Sequence, residues 1–524
     1  MIKTDIILPL GYNTDSVKEA LMLKLPLEKN EIKNFTIVKR SLDASDKTRI
    51  HYKATVAVSL SAEREKGLLK MKKKVAEYEI PHLTLQKSRL TSRPIVVGAG
   101  PAGLFAALAL AEAGARPIVI ERGLPVERRS ERVRLFSTLG VLDTECNIQY
   151  GEGGAGTYSD GKLKVGALDA YKYKILTEFI SAGAEEEILY TVGAHLGTDR
   201  LSDIVKNIRE KIISLGADFI FSAKLTEIIT KVGKIAGCKV EIEGKTEFLE
   251  AENIIVAAGH SARDTFEALL SAGARLTPRP FGVGVRIEHP REYINELVYG
   301  KENAKLLESA SYHLVTHLKN GRSVYSFCMC PGGTVVPAAS EAGGIVTNGM
   351  SEHKRDAENS NAALLVSLTP DDFPSDSPLA GLDLQRQIER CAYTATGSYR
   401  APSESLSELI SGKKSALSEV SPSYPLGTEH VLTREYLPSF VTDSLAGGVA
   451  DFDAWLPGYA LGSAAITGPE TRSTSPVRVE RDGKTLEAVG IEGLYPIGEG
   501  AGYSGGIISS ARDGLLAAEA LLKK

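Results

Sequence analysis

Short apolar, β-branched runs punctuate the chain, and the polar or glycine-rich stretches between them set its organisation. Residues 5–10 read as a strand, and the segment from Thr14 to Leu21 reads as a capped helix. Two further strands are expected at 32–40 and 50–60, on either side of a polar loop at 42–47. A charged helix is expected at 62–76. The β-α-β-β order is that of a split-βαβ, ferredoxin-like α+β module over residues 1–91. From Pro94 the pattern changes. Pro94-Ile95-Val96-Val97 predicts a buried strand, the apolar run 104–111 a buried helix, and Pro117-Ile118-Val119-Ile120 a second strand that ends on Glu121.

Strand-like runs of the same kind recur far downstream, at 252–260 and again at 491–497, the latter followed by a helix at 509–522. The pattern predicts an α/β, Rossmann-like nucleotide-binding domain in two pieces, 92–268 and 481–524. An α+β substrate or cap domain is inserted between them at 269–480. Proline- and serine-rich stretches at 370–378 and 415–425 are expected to be loops or hinges.

Between the first strand and helix of this domain lies Gly98-Ala99-Gly100-Pro101-Ala102-Gly103. Strand, glycine turn, helix, strand and acid together make a dinucleotide-binding fingerprint. Gly98 allows the tight turn, Gly100 the approach of a pyrophosphate, and Gly103 close helix–strand packing. Glu121, 18 residues beyond Gly103, is placed to accept hydrogen bonds from a ribose, and its charge disfavours a 2′-phosphate. Arg122 and Arg129 follow as further cofactor-binding candidates, Arg129 for the pyrophosphate.

Composition narrows the setting. The chain has 524 residues, 62 Lys and Arg against 66 Asp and Glu, and a formal charge of −4, so no nucleic-acid or membrane partner is expected. The N-terminus does not read as a signal peptide, and five cysteines, odd and sparse, point to a reducing, cytoplasmic setting. No metal-ligand spacing is evident. Oligomeric state is not readable.

The end of the chain selects the dinucleotide. Gly498-Glu499-Gly500-Ala501-Gly502-Tyr503-Ser504-Gly505-Gly506-Ile507 returns a second glycine-rich element to the same sheet. Together with GAGPAGL at 98–104 and IIVAAG at 254–259, it resembles the FAD domain of the glutathione-reductase-like superfamily, in the subclass of fumarate reductases and amine oxidases. The strings at 148–163, 281–290, 325–351 and 355–367 resemble, over nearly the whole chain, a bacterial family of FAD-dependent dehydrogenases. Residues 391–405 follow that family only loosely. The resemblance implies FAD as cofactor, with Glu499 and Gly500 beside the ribityl-pyrophosphate and Tyr503 to Ile507, including Gly505 and Gly506, along the flavin. Gly498, Ala258 and Gly259 belong to the same expected cradle, as do Gly100, Pro101 and Ala102.

The long loop from Gly151 to Lys162 is rich in hydrogen-bonding groups, and Gly154, Gly156, Thr157, Ser159, Asp160, Gly161 and Lys162 are its cofactor-binding candidates. Candidate catalytic residues are Arg286, to clamp a substrate carboxylate, and His289, to move a proton. Alternation puts Arg286 and Glu288 on one strand face and His289 on the other. His313, His317, Tyr399 and Arg400 are weaker candidates. In a regular strand Cys328 and Cys330 share a face and fit a disulfide poorly.

The expected function is hydride transfer between flavin N5 and a small organic substrate, with an external electron donor or acceptor. A flavin-binding redox sensor or partner-binding protein, and a dithiol enzyme using Cys328 and Cys330, are the alternatives.

Overall fold

A computed structural model describes residues 1–71, 74–415 and 419–524. The chain forms two compact units, one of Met1–Thr84 with Leu163–His195, the other of Leu85–Lys162 with Leu196–Lys524.

The first unit is a four-stranded antiparallel sheet in the order Asn34–Asp43, His51–Ser59, Ile2–Leu8, Ala76–Glu77, the order a split-βαβ module requires. Helix Thr14–Lys24 is capped by Asn13, whose side chain accepts from the Ser16 amide. The second helix is Ala62–Leu69, shorter than the expected 62–76; Lys72 and Lys73 lie outside the described residues. The segment Leu163–His195, expected within the nucleotide domain, joins this unit through backbone pairing. The Arg40 amide donates to the Tyr190 carbonyl, and the Val192 amide to the Arg40 carbonyl. The Arg40 guanidinium then reaches Glu187 at 2.7 Å among the rings of Tyr12, Tyr52 and Tyr190.

The second unit is built on a five-stranded parallel sheet in the order Leu494–Pro496, Ile254–Val256, Ile95–Val97, Ile118–Ile120, Asp218–Ile220. The strands are only three residues long; Leu494–Pro496, Ile254–Val256 and Ile95–Val97 are apolar and fully buried, whereas the edge strand Asp218–Ile220 is exposed to half-buried. Helix Pro101–Glu112 is buried along nearly its whole length. It packs so closely on helix Ile507–Leu522 that a Cβ on Gly514 would stand 2.1 Å from the Ala102 carbonyl oxygen. The two ends of the chain's nucleotide-binding pattern thus meet in one layer.

Strands Leu276–Pro278 and Val477–Val479 pair antiparallel, so the inserted region leaves and re-enters through one ribbon. Its core is a seven-stranded sheet in the order Val315–His317, Ser323–Cys330, Asn359–Leu368, Phe281–Pro290, Ala465–Glu470, Ala401–Ser405, Thr428–His430. Helix Ser439–Trp455 approaches it at Gly448, where an added Cβ would lie 2.5 Å from Val324 Cγ1. The stretch 370–378 is a short 3-10 turn and bends, as expected of a loop. Within 415–425, residues 416–418 lie outside the described residues. Among the described residues, no helix is long and apolar enough to cross a membrane.

Candidate functional site

Four segments converge beyond the carboxyl ends of the parallel strands, where open α/β sheets bind ligands. Gly98 follows Val97, Glu121 follows Ile120, Ala257 follows Val256 and Ile497 follows Pro496. Gly98 has φ +97°, and a Cβ there would stand 2.8 Å from the Ala257 carbonyl oxygen. A Cβ on Gly103 would lie 1.8 Å from the Gly98 carbonyl oxygen, and one on Gly500 1.9 Å from that of Ala258. The Gly151–Gly156 loop joins them, since the Gly153 amide donates to the Ala99 carbonyl and Gly100 approaches Gly154. Ile507 lies against Gly156.

Two helices begin here on glycines, Gly100 and Gly506, with no side-chain cap. Their first-turn amides are therefore left for an anion, with the partial positive charge of each helix end behind them. Two buried polar atoms beside the cradle, Thr157 Oγ1 and His260 Nε2, have no hydrogen-bond partner. They suit a polar dinucleotide, so the residues present fit the FAD that the sequence implies.

Glu121 is buried and accepts three backbone amides, from Ala99 at 2.8 Å, Gly123 at 2.9 Å and Gly151 at 3.0 Å. Its Oε1 takes two of these and Oε2 one, which leaves Oε2 room for a ribose hydroxyl. The carboxylate therefore ties the glycine turn to the 151 loop.

Arg129 does not stand ready for a pyrophosphate. It is fully buried, and its guanidinium donates to the carbonyls of Asn147, Ile148, Glu152 and Gly154, so it shapes the loop from behind. Arg122 stacks on Tyr150 and pairs with Glu145 and Asp264. It lines a cavity of about 1100 Å³ together with Lys224, Arg263, Asp264, Glu341 and Arg386.

The far end of the 151 loop is anchored into the inserted region. Ser159 folds back on Gly156 and Gly161. Asp160 is buried against Arg355, whose Nε donates at 2.8 Å, and Lys162 donates to the Met329 carbonyl. Only Gly154, Gly156 and Thr157 of this group stand with the glycine cradle. Ala258 and Gly259 lie against Gly500, and Glu499 Oε1 is 3.5 Å from His260 Nδ1. Gly498 is held by Asp513, which accepts its amide at 2.8 Å and pairs with Arg481. Tyr503 lies beneath Arg481 and Arg478, while Gly505 and Gly506 face open space.

Arg286 and His289 are separated from one another. Both are fully buried. Arg286 pairs with Glu470 at 2.5 Å and donates to the Cys328 carbonyl at 2.8 Å and to Asn348 Oδ1 at 2.8 Å. The opposite face carries His289, whose Nε2 donates to the Tyr459 carbonyl at 2.9 Å between the rings of Tyr293 and Tyr459. Burial holds its pKa down, to about 4. His317 bonds Ser323, Tyr399 packs on Phe136 and Tyr393, and Arg400 pairs with Glu429, all away from the cradle.

His260 and Asp513 escaped the sequence reading. His260 is the last residue of the strand-like run 252–260 and Asp513 one acid within the expected helix, and neither position carries a motif of its own.

A model described as FAD binding domain matches residues 93–131, one described as FAD-dependent protein, C-terminal domain-like, matches 280–473, and a domain of unknown function matches 1–59. A Clostridium beijerinckii protein, itself uncharacterised, is 44% identical over 99% of this chain and 98% of its own. Solved structures that resemble the chain include a geranylgeranyl bacteriochlorophyll reductase-like protein from Thermoplasma acidophilum. It is 13% identical, covers 84% of this chain and 79% of its own, and has a TM-score of 0.36. An E. coli quinol fumarate reductase is 14% identical, covers 85% and 71%, and has a TM-score of 0.36. Likenesses this distant carry no argument about function.

Proposed function

We propose a function on one premise: the chain belongs to a bacterial family of FAD-dependent flavoprotein oxidoreductases. The reading is that it moves a hydride between flavin N5 and a small organic substrate held beneath the inserted region, with an external donor or acceptor closing the cycle. The observation that supports it is the convergence of the 98–103 turn, the 151–157 loop, Ala258-Gly259 and the 498–507 turn, with two uncapped helix starts and two orphaned polar atoms.

When bound, FAD supplies a two-electron hydride centre that no side chain offers. The chain's part is binding and orientation. The amides after Gly100 and Gly506 take the pyrophosphate and ribityl side. Glu121 would accept from the adenosine ribose. Gly154, Gly156 and Thr157, backed by Ile507, would lie along the ring edge, where the Gly156 amide and the Thr157 hydroxyl would stabilise charge that develops on reduction. Arg129 keeps that loop in shape. We place the protein in the cytoplasm, in keeping with five cysteines that are all free thiols.

Anaerobic mixing of the holoprotein with a panel of small hydroxy acids, amines and unsaturated acids tests the reading. A substrate should bleach the oxidised flavin band, or reoxidise the photoreduced enzyme. If none exchanges electrons while a protein partner does, the sensor or partner-binding alternative replaces it.

A further inference from the structure

The sequence pattern placed Cys328 and Cys330 on one face of a regular strand. The strand Ser323–Cys330 instead breaks register between Phe327 and Cys330, and Cys328 takes φ +41°. A bulge with a non-glycine residue in the left-handed region is a costly local feature of the kind that re-aims a side chain. Here it sets the Cys330 side chain against the Cys328 backbone. The Cys330 thiol donates to the Cys328 carbonyl oxygen at 3.3 Å. As residues the two differ in burial: Cys328 is half-buried and Cys330 fully buried.

The bulge is held by cations. Arg286 donates to the Cys328 carbonyl, and Lys162 donates to that of Met329. Asp160 and Glu470 are the acids that face the same cluster. The Cys330 hydrogen bond, with Arg286 and Lys162, draws the Cys328 pKa down, and the same neighbour with burial pushes that of Cys330 up.

We propose that Cys328 and Cys330 form a thiol–disulfide exchange site for low-molecular-weight disulfides, with Cys328 as the attacking and Cys330 as the resolving sulfur. The Cys328 thiolate attacks one sulfur of R–S–S–R′. The Cys328–S–R bond forms, the R–S–S–R′ bond breaks, and R′S⁻ leaves and takes up the proton that Cys328 had given to solvent. The thiolate that held Cys330 protonated is then gone, so Cys330 ionises and attacks Cys328 Sγ. The Cys328–Cys330 bond forms, and RS⁻ departs with the Cys330 proton. One disulfide is reduced by two electrons to two thiols, and the protein dithiol is oxidised to one disulfide.

The site goes beyond the hydride-transfer reading and needs no flavin turnover, so the two can fail separately. Its test is anaerobic treatment of the reduced holoprotein with one equivalent of glutathione disulfide, followed by mass mapping of all five cysteines. The expected product is an intramolecular disulfide, the peptide spanning 328–330 lighter by two hydrogens, with both glutathiones released. In Cys330→Ser the reaction should stop at a glutathione adduct on Cys328. That adduct should form at least about tenfold faster than one on the exposed Cys391, which serves as the ordinary thiol. A wild-type protein that stays unmodified at 328 and 330, or carries its adduct on Cys391, overturns the proposal without reference to any variant.

Discussion

Gly103→Ala perturbs the cradle by a single methyl group at the point of closest approach. The added Cβ would stand 1.8 Å from the Gly98 carbonyl oxygen and 3.4 Å from Ala257 Cβ. The first contact is with backbone, so no rotamer change relieves it, and the turn or the helix has to move by more than an ångström. Overpacking of this kind costs about 1–3 kcal/mol, offset by up to about 1 kcal/mol from the better helix propensity of Ala. The displaced element is the turn that meets the pyrophosphate, so the cost falls on the bound state. The propensity gain is present with and without FAD and cancels from the binding difference, so FAD affinity should drop by about 5- to 100-fold, at 1.4 kcal/mol per decade. The assay is titration of FAD into apoprotein by flavin fluorescence, with thermal unfolding at zero and saturating FAD. Gly67→Ala is the control, because its Cβ meets nothing within 4 Å inside helix Ala62–Leu69. It should stabilise by about 0.5–1 kcal/mol and leave FAD affinity alone. An FAD dissociation constant for Gly103→Ala within twofold of wild type would refute the reasoning.

Three other changes probe the same region. Glu121→Gln sets an amide N–H₂ against one of the three backbone donors, which should cost about 1–3 kcal/mol in urea unfolding and weaken FAD binding. Burial pushes the Glu152 carboxyl up to about 7, despite the Val126 amide and Arg209. The folded state therefore holds that proton more tightly than the unfolded one, and this group's contribution to stability falls as pH rises from about 4.5 to about 7. Glu152→Gln should flatten the wild-type slope by up to about 1.4 kcal/mol per pH unit in that window, and matching urea curves at each pH would contradict it. Burial would raise Glu389, but Arg263 and Arg472 outweigh it and hold its carboxyl near 2. Its contribution is present above about 4.5 and is lost as pH falls toward 2. Glu389→Gln, which leaves buried Arg472 without its carboxylate and Arg263 with Glu341 alone, should cost about 3–5 kcal/mol at neutral pH.

What the sequence disclosed was local. The 98–103 turn and the 254–259 and 498–507 elements could be read because each needs only its own residue order: a short apolar strand, glycines, then a helix or a turn. The anchoring of the 151 loop could not, because Asp160 meets Arg355 across 195 positions and the Arg129 guanidinium answers carbonyls that only the folded loop presents. Alternation placed Arg286 and His289 on opposite faces correctly, yet it could not say that Arg286 would pair with Glu470 on another strand. It also assumed a regular strand at Cys328, where the register breaks. The Leu163–His195 segment joins the N-terminal unit through pairing at Arg40, a contact with no sequence-local signal.

The central claim is that one glycine cradle, assembled from four distant segments, holds FAD. A crystal structure of the FAD-loaded protein tests it most directly. The account predicts one FAD per chain, its pyrophosphate on the amides after Gly100, its adenosine ribose at Glu121, and its ring edge beside Gly154, Gly156 and Thr157, with His260 Nε2 and Thr157 Oγ1 no longer without partners. FAD bound elsewhere, or bound with those two atoms still orphaned, would contradict it.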